Sequence, residues 1–349
     1  MKINWILLFS SAWILLFIAC TNEPEKPLMR VEEYSHSKKD IKGKHLVTVQ
    51  QVKEWIDEDY PITIFEISKK EKYATGHLPN AINLWRPDYE NKIDYEYGGM
   101  RATKVQMEAL LSKSGVTSDR RIVLYDTKGC VDAMRFRWIL TLYGYDNIAV
   151  MNGGKKAWVE AGYSLVNITN SSIILTDFSF PSATNLPKVA TLENIQAAIQ
   201  DTNIIILDTR EPEEYYGQPY LNNGKLYAHK KGAFTHGCIP TAIHLNWSDA
   251  VDLHGDHCLK SLKDLHHNMK MAGISADKEI ITYCQSGVRS AHTTYVLREL
   301  LYYPKVTNYD GSWIEWSYYH QQNKGIEIEQ HTPKAEFDSL FNNLQKRLN

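Results

Sequence analysis

The sequence predicts an α/β protein built from two copies of one domain, each a mostly parallel sheet flanked by helices. Three observations carry this. The chain aligns with itself at an offset of 158 residues: Asp126, Gly153 and Trp158 fall on Cys284, Gly311 and Trp316, without a gap over 33 residues. A fixed long period marks repeated structural units. Short runs rich in β-branched residues, at 204–207 and 280–283, read as buried parallel strands. Helical patterning alternates with them, as where Val296, Leu297, Leu300 and Leu301 share one apolar face.

Length and composition suit two ordinary globular domains: 349 residues, 43% hydrophobic and 23% charged. The formal net charge is −2, without the basic excess that a nucleic-acid partner requires. In so weak an overall field, an anionic substrate has to be gathered by a local site.

Residues 1–20 read as an export signal. Lys2 precedes a largely apolar stretch that ends at Ala19, and polar residues follow Cys20. The Ala19-Cys20 junction resembles a bacterial lipobox, in which the cysteine is lipidated and becomes the new N-terminus. Phe17 stands where that motif prefers leucine. The alternative is an uncleaved apolar anchor. Either way the rest of the chain is expected outside the cytoplasm, held to a membrane and facing the periplasm or the cell exterior.

The first copy spans 45–165 and the second 188–325. Thr48 and Thr191 open them, each placed as a helix N-cap. Ile64-Phe65-Glu66-Ile67 pairs with Ile206-Leu207-Asp208-Thr209, and Gly76-His77-Leu78-Pro79 with Gly237-Cys238-Ile239-Pro240. Between these landmarks the second copy is longer, 29 residues from Asp208 to Gly237 against 10 from Glu66 to Gly76. The extra stretch holds Lys225, His229, Lys230 and Lys231. It either borders an anion-attracting mouth or is an ordinary solvated loop. Residues 166–187, polar and then mixed, suit a linker. Residues 326–349 form a tail with Phe337, Leu340, Phe341 and Leu344 at helical spacing, expected to pack back onto a domain.

The chemistry is expected in Tyr283-Cys284-Gln285-Ser286-Gly287-Val288-Arg289-Ser290. A strand ends at Tyr283 and a helix is expected to begin near Ser290. That puts Cys284 at a strand C-terminus facing a helix N-terminus, where open α/β sheets bind ligands. Successive loop N–H groups form an anion nest, the helix adds a positive end and Arg289 adds a full charge. Together they lower the thiol pKa and stabilise a persulfide. Only four residues separate Cys284 from Arg289. The loop is thus one residue tighter than the Cys-x5-Arg loop of cysteine phosphatases, and suits a sulfur atom better than a phosphoryl group.

These segments, with Leu207-Asp208-Thr209-Arg210-Glu211-Pro212 and Asn308-Tyr309-Asp310-Gly311-Ser312-Trp313, resemble the active domain of tandem rhodaneses. The first copy is similar to their non-catalytic partner domain. The resemblance implies a ping-pong sulfurtransferase: the Cys284 thiolate takes sulfur from thiosulfate and passes it to cyanide or a thiol. It implies catalytic roles for Cys284 and Arg289. Substrate contacts are implied for Arg210, Gln285, Ser286, Gly287 and Val288. Ser286 replaces a lysine found in some thiosulfate-type loops. Ser286-Gly287-Val288 is shared with mercaptopyruvate-type loops, so 3-mercaptopyruvate is the alternative donor. A non-catalytic lipoprotein that binds sulfur or a metal is the alternative from another class.

No cofactor and no metal site is assigned. His254, His257 and Cys258 lack a second ligand pair and read as a polar loop. Asp126 at the Cys284 position leaves the first copy without a nucleophile. Cys130 reads as a small buried residue and Cys238 as packing. Asp208 is expected to orient Arg210 or its loop, and the competing reading of Arg210 pairs it with Glu213 or Glu214. Replacing the lipobox cysteine, Cys20→Ser, is expected to abolish incorporation of labelled palmitate. Label retained by that variant refutes lipidation at Cys20.

Overall fold

Each copy begins where a threonine caps a helix: Thr48 accepts the Gln51 N–H at 3.2 Å and Thr191 the Asn194 N–H at 3.3 Å. In the computed structural model, which describes residues 41–168, 173–222 and 224–348, two five-stranded parallel sheets follow from those starts. The first domain runs β1 (Leu46–Val47), α1 (Val49–Asp57), β2 (Ile62–Ile67), α2 (Lys70–Ala74), β3 (Ile82–Leu84), α3 (Lys104–Lys113), β4 (Arg121–Tyr125), α4 (Val131–Leu142), β5 (Ile148–Met151) and α5 (Gly154–Glu160). The second runs β6 (Val189–Ala190), α6 (Leu192–Ala198), β7 (Ile204–Asp208), α7 (Pro212–Tyr216), β8 (Tyr220–Asn222), β9 (Lys225–Tyr227), β10 (Ile243–His244), α8 (Leu262–Met271), β11 (Glu279–Tyr283), α9 (Val288–Tyr295), β12 (Val306–Tyr309) and α10 (Ser312–Gln321). A tail helix, α11 (Lys334–Leu348), ends the described chain.

The strand orders are β1-β5-β4-β2-β3 and β10-β7-β11-β12-β6, the same order read from opposite edges. Their central strands are buried on both faces, as continuous β-branched runs require. Each Gly-x-x-Pro turn is pinned by an antiparallel bridge, His77 to Val166 and Cys238 to Glu329. The 29-residue insertion of the second copy carries the antiparallel pair β8–β9. Among the described residues, no helix is long and apolar enough to cross a membrane.

Two local expectations change. The helix after Cys284 starts at Val288, not near Ser290, because Gly287 adopts φ +74° and turns the chain straight into it. Residues 176–180 are tied to the first domain: Phe178 N–H donates to Ser112 Oγ and Phe180 N–H to Glu108 Oε1, each at 2.9 Å, with both rings buried against Tyr145. As expected, the tail packs back, through Phe337 stacked on His236 at 4.4 Å.

One hydrophobic core spans both domains. It takes Ala133, Met134 and Phe136 from α4 and Val288, Ala291 and Tyr295 from α9, so the two helices pack face to face. Phe136→Ala, at a fully buried site against Phe65 and Tyr89, is therefore expected to cost about 3–5 kcal/mol. Urea unfolding followed by circular dichroism and by Cys284 accessibility should show one common shift. Separate transitions for the two probes contradict a shared core.

Candidate active site

Cys284 follows β11 and its sulfur is buried, 1% exposed. The bend behind it is built by Ser312, whose hydroxyl accepts the N–H groups of Cys284 at 3.2 Å and Gly287 at 2.9 Å while donating to Tyr309 O. Gly287 cannot be replaced without cost, since a Cβ there lies 2.7 Å from Arg135 Nη1 and 2.9 Å from Asp310 O. Burial pushes the Cys284 thiol up. The Arg289 charge, the Ser290 hydroxyl and the N–H groups of Ser290 and Ser286 pull it down, and the net shift is downward. The loop therefore shifts the balance toward the thiolate.

Arg289 is buried, and both its terminal nitrogens are taken by Glu214, at 2.5 and 2.9 Å. Its fork is thus committed to α7 and not open to a donor. What reaches Cys284 is its charge. Burial alone would raise the Glu214 carboxyl, but Arg289, Lys230 and Arg210 hold it well below the usual carboxylate range. Arg210 is likewise buried, with its fork on Asp208 (2.6–3.0 Å) and a further bond to Gly237 O at 2.8 Å. It pairs with neither Glu213 nor Glu214 in its closest bonds. Tyr283 OH also donates to Asp208, at 2.5 Å, which fixes Asp208 as the orienting group behind Arg210.

Beside the loop, Arg210, Glu214, His229, Lys230, Gln285 and Trp313 line a narrow cavity. Of the basic insertion residues, His229 and Lys230 face it. Lys231 contributes only its carbonyl, to Gln285 Nε2 at 3.4 Å, and Lys225 lies on the exposed hairpin. Gln285 Oε1 is buried without a hydrogen-bond partner. Ser286 meets Gly99 of the first domain, and Val288 packs into the shared core. Roomier clefts, of about 300 and 820 Å3, lie elsewhere, around Arg137 and around Trp55.

The same loop in the first copy is filled from within. The Asp126 carboxylate accepts N–H bonds from Lys128, Cys130, Asp132 and Ala133, at 2.8–3.2 Å. It occupies the nest that a sulfur would need. Burial and nearby Asp132 nonetheless raise its pKa to about 6. Cys130 is fully buried and donates to Met151 O, and burial pushes its thiol far up.

The sequence names Glu214, Ser312 and Asp310 without these roles, and Arg135 not at all. Arg135 of α4 ion-pairs with Asp310 at 2.6 Å, both side chains 2% exposed, and reaches Gly287 O at 3.3 Å. Arg101 holds the same Asp310 at 2.6 Å. Ser312 at least lies in the quoted Gly311-Ser312-Trp313 segment; Arg135 carries no local signal.

Among the described residues, Cys130, Cys238 and Cys258 are in no disulfide. Cys238 is buried, with its sulfur 3.3 Å from His331 Nε2 and its thiol pushed up to about 12 by burial. With Glu329 it forms the one grouping of metal-type donors among the described residues. Cys238 Sγ and His331 Nε2 share a hydrogen bond whose direction is set by the His331 tautomer. Cys258 lies against Gly153 of the first domain. The Cys20 assignment lies outside the described residues.

The fold is one α/β domain present twice, with a cysteine-bearing loop in the second copy, and comparison with known proteins agrees. The rhodanese-like domain matches residues 48–161 and again 191–318. The chain is 31% identical over 279 residues to the sulfur carrier protein TtuD of Thermus thermophilus, covering 78% of this chain and 93% of that one. It is 30% identical over 259 residues to the thiosulfate sulfurtransferase of Corynebacterium glutamicum, covering 70% and 78%. Among solved structures, wild-type EanB superposes with a TM-score of 0.66 over 83% of this chain and 70% of that one, at 20% identity, a likeness of fold. The chain belongs to the rhodanese family as a tandem-domain member, and it is a sulfurtransferase.

Arg289→Ala leaves the Glu214 carboxylate buried and without its main partner, and takes away the charge that lowers the Cys284 thiol. The variant is expected to lose about 3–5 kcal/mol of stability. Its Cys284 alkylation midpoint should move to higher pH, because a like charge disfavours the thiolate. Glu214→Gln in that background should return the midpoint part of the way. No upward shift in the single variant removes Arg289 from thiolate stabilisation.

Proposed function

We propose that the protein is an exported, membrane-tethered thiosulfate sulfurtransferase in which Cys284 carries the transferred sulfur. The observation that carries this reading is a buried Cys284 at the end of a parallel strand, on a bend held by Ser312 and beside the buried Arg289, whose charge and the loop donors pull the thiol down. Desolvation alone acts the other way, so the site is organised around negative sulfur. The Cys284 thiolate attacks the outer sulfur of thiosulfate. A new S–S bond forms at Sγ, the S–S bond of thiosulfate breaks, and sulfite leaves with the bonding pair. The persulfide's terminal anion is stabilised by the loop N–H groups and by Arg289. Cyanide or a thiolate acceptor then attacks the outer persulfide sulfur, and Cys284 leaves as the thiolate it began as. Arg210 and Lys230 beside Gln285 supply positive potential for the dianionic donor.

A relative named as a sulfur carrier favours a second reading of the acceptor, in which the persulfide passes to a protein thiol. The shared Ser286-Gly287-Val288 keeps 3-mercaptopyruvate as the alternative donor. Export and tethering rest on residues 1–20 and Cys20.

Steady-state turnover of protein lacking residues 1–20 tests the reading. Thiosulfate should give the higher kcat/KM over 3-mercaptopyruvate. Cys284→Ser should abolish transfer and Cys130→Ser should leave it intact. Substantial activity in Cys284→Ser removes the nucleophile, and a preference for mercaptopyruvate removes thiosulfate as donor.

A further inference from the structure

We propose that Arg135, supplied by the non-catalytic domain, is a positioning residue for the Cys284 loop. The inference rests on Cys284 being the nucleophile. Arg135 projects from α4 across the domain interface, stacked over Trp138 at 4.9 Å. One guanidinium makes three contacts there: Asp310 Oδ1 at 2.6 Å, Gly287 O at 3.3 Å and Gly99 O at 3.2 Å.

The first two contacts hold opposite walls of the sulfur cradle. Gly287 O is drawn to the interface by Arg135 and by Asn308 Nδ2 at 3.2 Å. A trans peptide keeps its C=O and N–H antiparallel. Fixing that carbonyl therefore turns the Val288 N–H away from the interface. On the other wall, Arg135 and Arg101 hold Asp310. Asp310 leads into Gly311-Ser312, and Ser312 Oγ receives the Cys284 and Gly287 N–H groups. Gly99, bound through its carbonyl, closes against Ser286, where a Cβ on Gly99 would lie 2.6 Å from the serine Cβ.

Arg135 acts through the geometry of the segments it holds, sharing the Asp310 carboxylate with Arg101.

The test uses the full-length protein with Arg135→Met, Arg135→Lys and Asp310→Asn. Three quantities are read: the pH midpoint for Cys284 alkylation by iodoacetamide, kcat/KM for thiosulfate, and the thermal transition. Arg135→Met should raise the midpoint and lower kcat/KM about tenfold, with Arg135→Lys recovering only part because a point charge lacks the fork. Asp310→Asn should shift the midpoint the same way. Arg137→Met serves as control. It removes contacts to His45 and Glu299 at the same interface and should lower the thermal transition without moving the midpoint. A wild-type midpoint in folded Arg135→Met overturns the proposal. If that variant does not fold, wild-type midpoints in both Arg135→Lys and Asp310→Asn overturn it. Alkylation needs no sulfur donor, so failure of wild-type thiosulfate turnover sinks the donor assignment alone. A wild-type Cys284 that alkylates like an ordinary thiol sinks the nucleophile reading itself.

Discussion

Negative charge on a buried sulfur is costly, and much of the second domain is arranged to offset that cost. A thiolate removed from water needs donors and a counter-charge. The loop N–H groups and Arg289 supply them to Cys284. Burying Arg289 creates the same need with the opposite sign, which Glu214 meets with both carboxylate oxygens. Glu214 in turn faces Lys230, 3.3 Å away. The site is therefore an alternating series of charges, and its members are not interchangeable: losing one exposes the next as an uncompensated buried ion. Asp208, Arg210 and Tyr283 form a second such series behind the loop.

The two copies show how one loop geometry serves two ends. In both, successive backbone N–H groups converge on the residue that ends the central strand. Where that residue is Asp126, its carboxylate satisfies the nest internally and nothing remains for a ligand. Where it is Cys284, the donors lower a thiol that burial would otherwise raise. The first copy carries an aspartate at the cysteine position and shares its packing surface with the second. Its helix α4 shares a core with α9, and its Arg135 and Arg101 converge on Asp310. A domain without a nucleophile thus remains part of the site's construction.

The sequence by itself determined the duplicated α/β architecture, the capped helix starts, the strand runs and the loop that carries Cys284. Each of these is written in local periodicity, in short spacing or in the chain's likeness to itself. The charge of Arg289 near the thiol was legible for the same reason, five positions away on one turn. Tertiary structure alone decided what that charge is attached to. Glu214 is 75 residues from Arg289, Ser312 is 28 from Cys284 and Arg135 is 152 from Gly287. The helix start two residues early depended on the left-handed bend at Gly287, and the pinning of 176–180 depended on α3 lying beneath it. Hydrophobic patterns specify which face of an element is buried. They do not specify which polar side chain from a distant element will meet it, because that is set by how the packed layers bring their edges together.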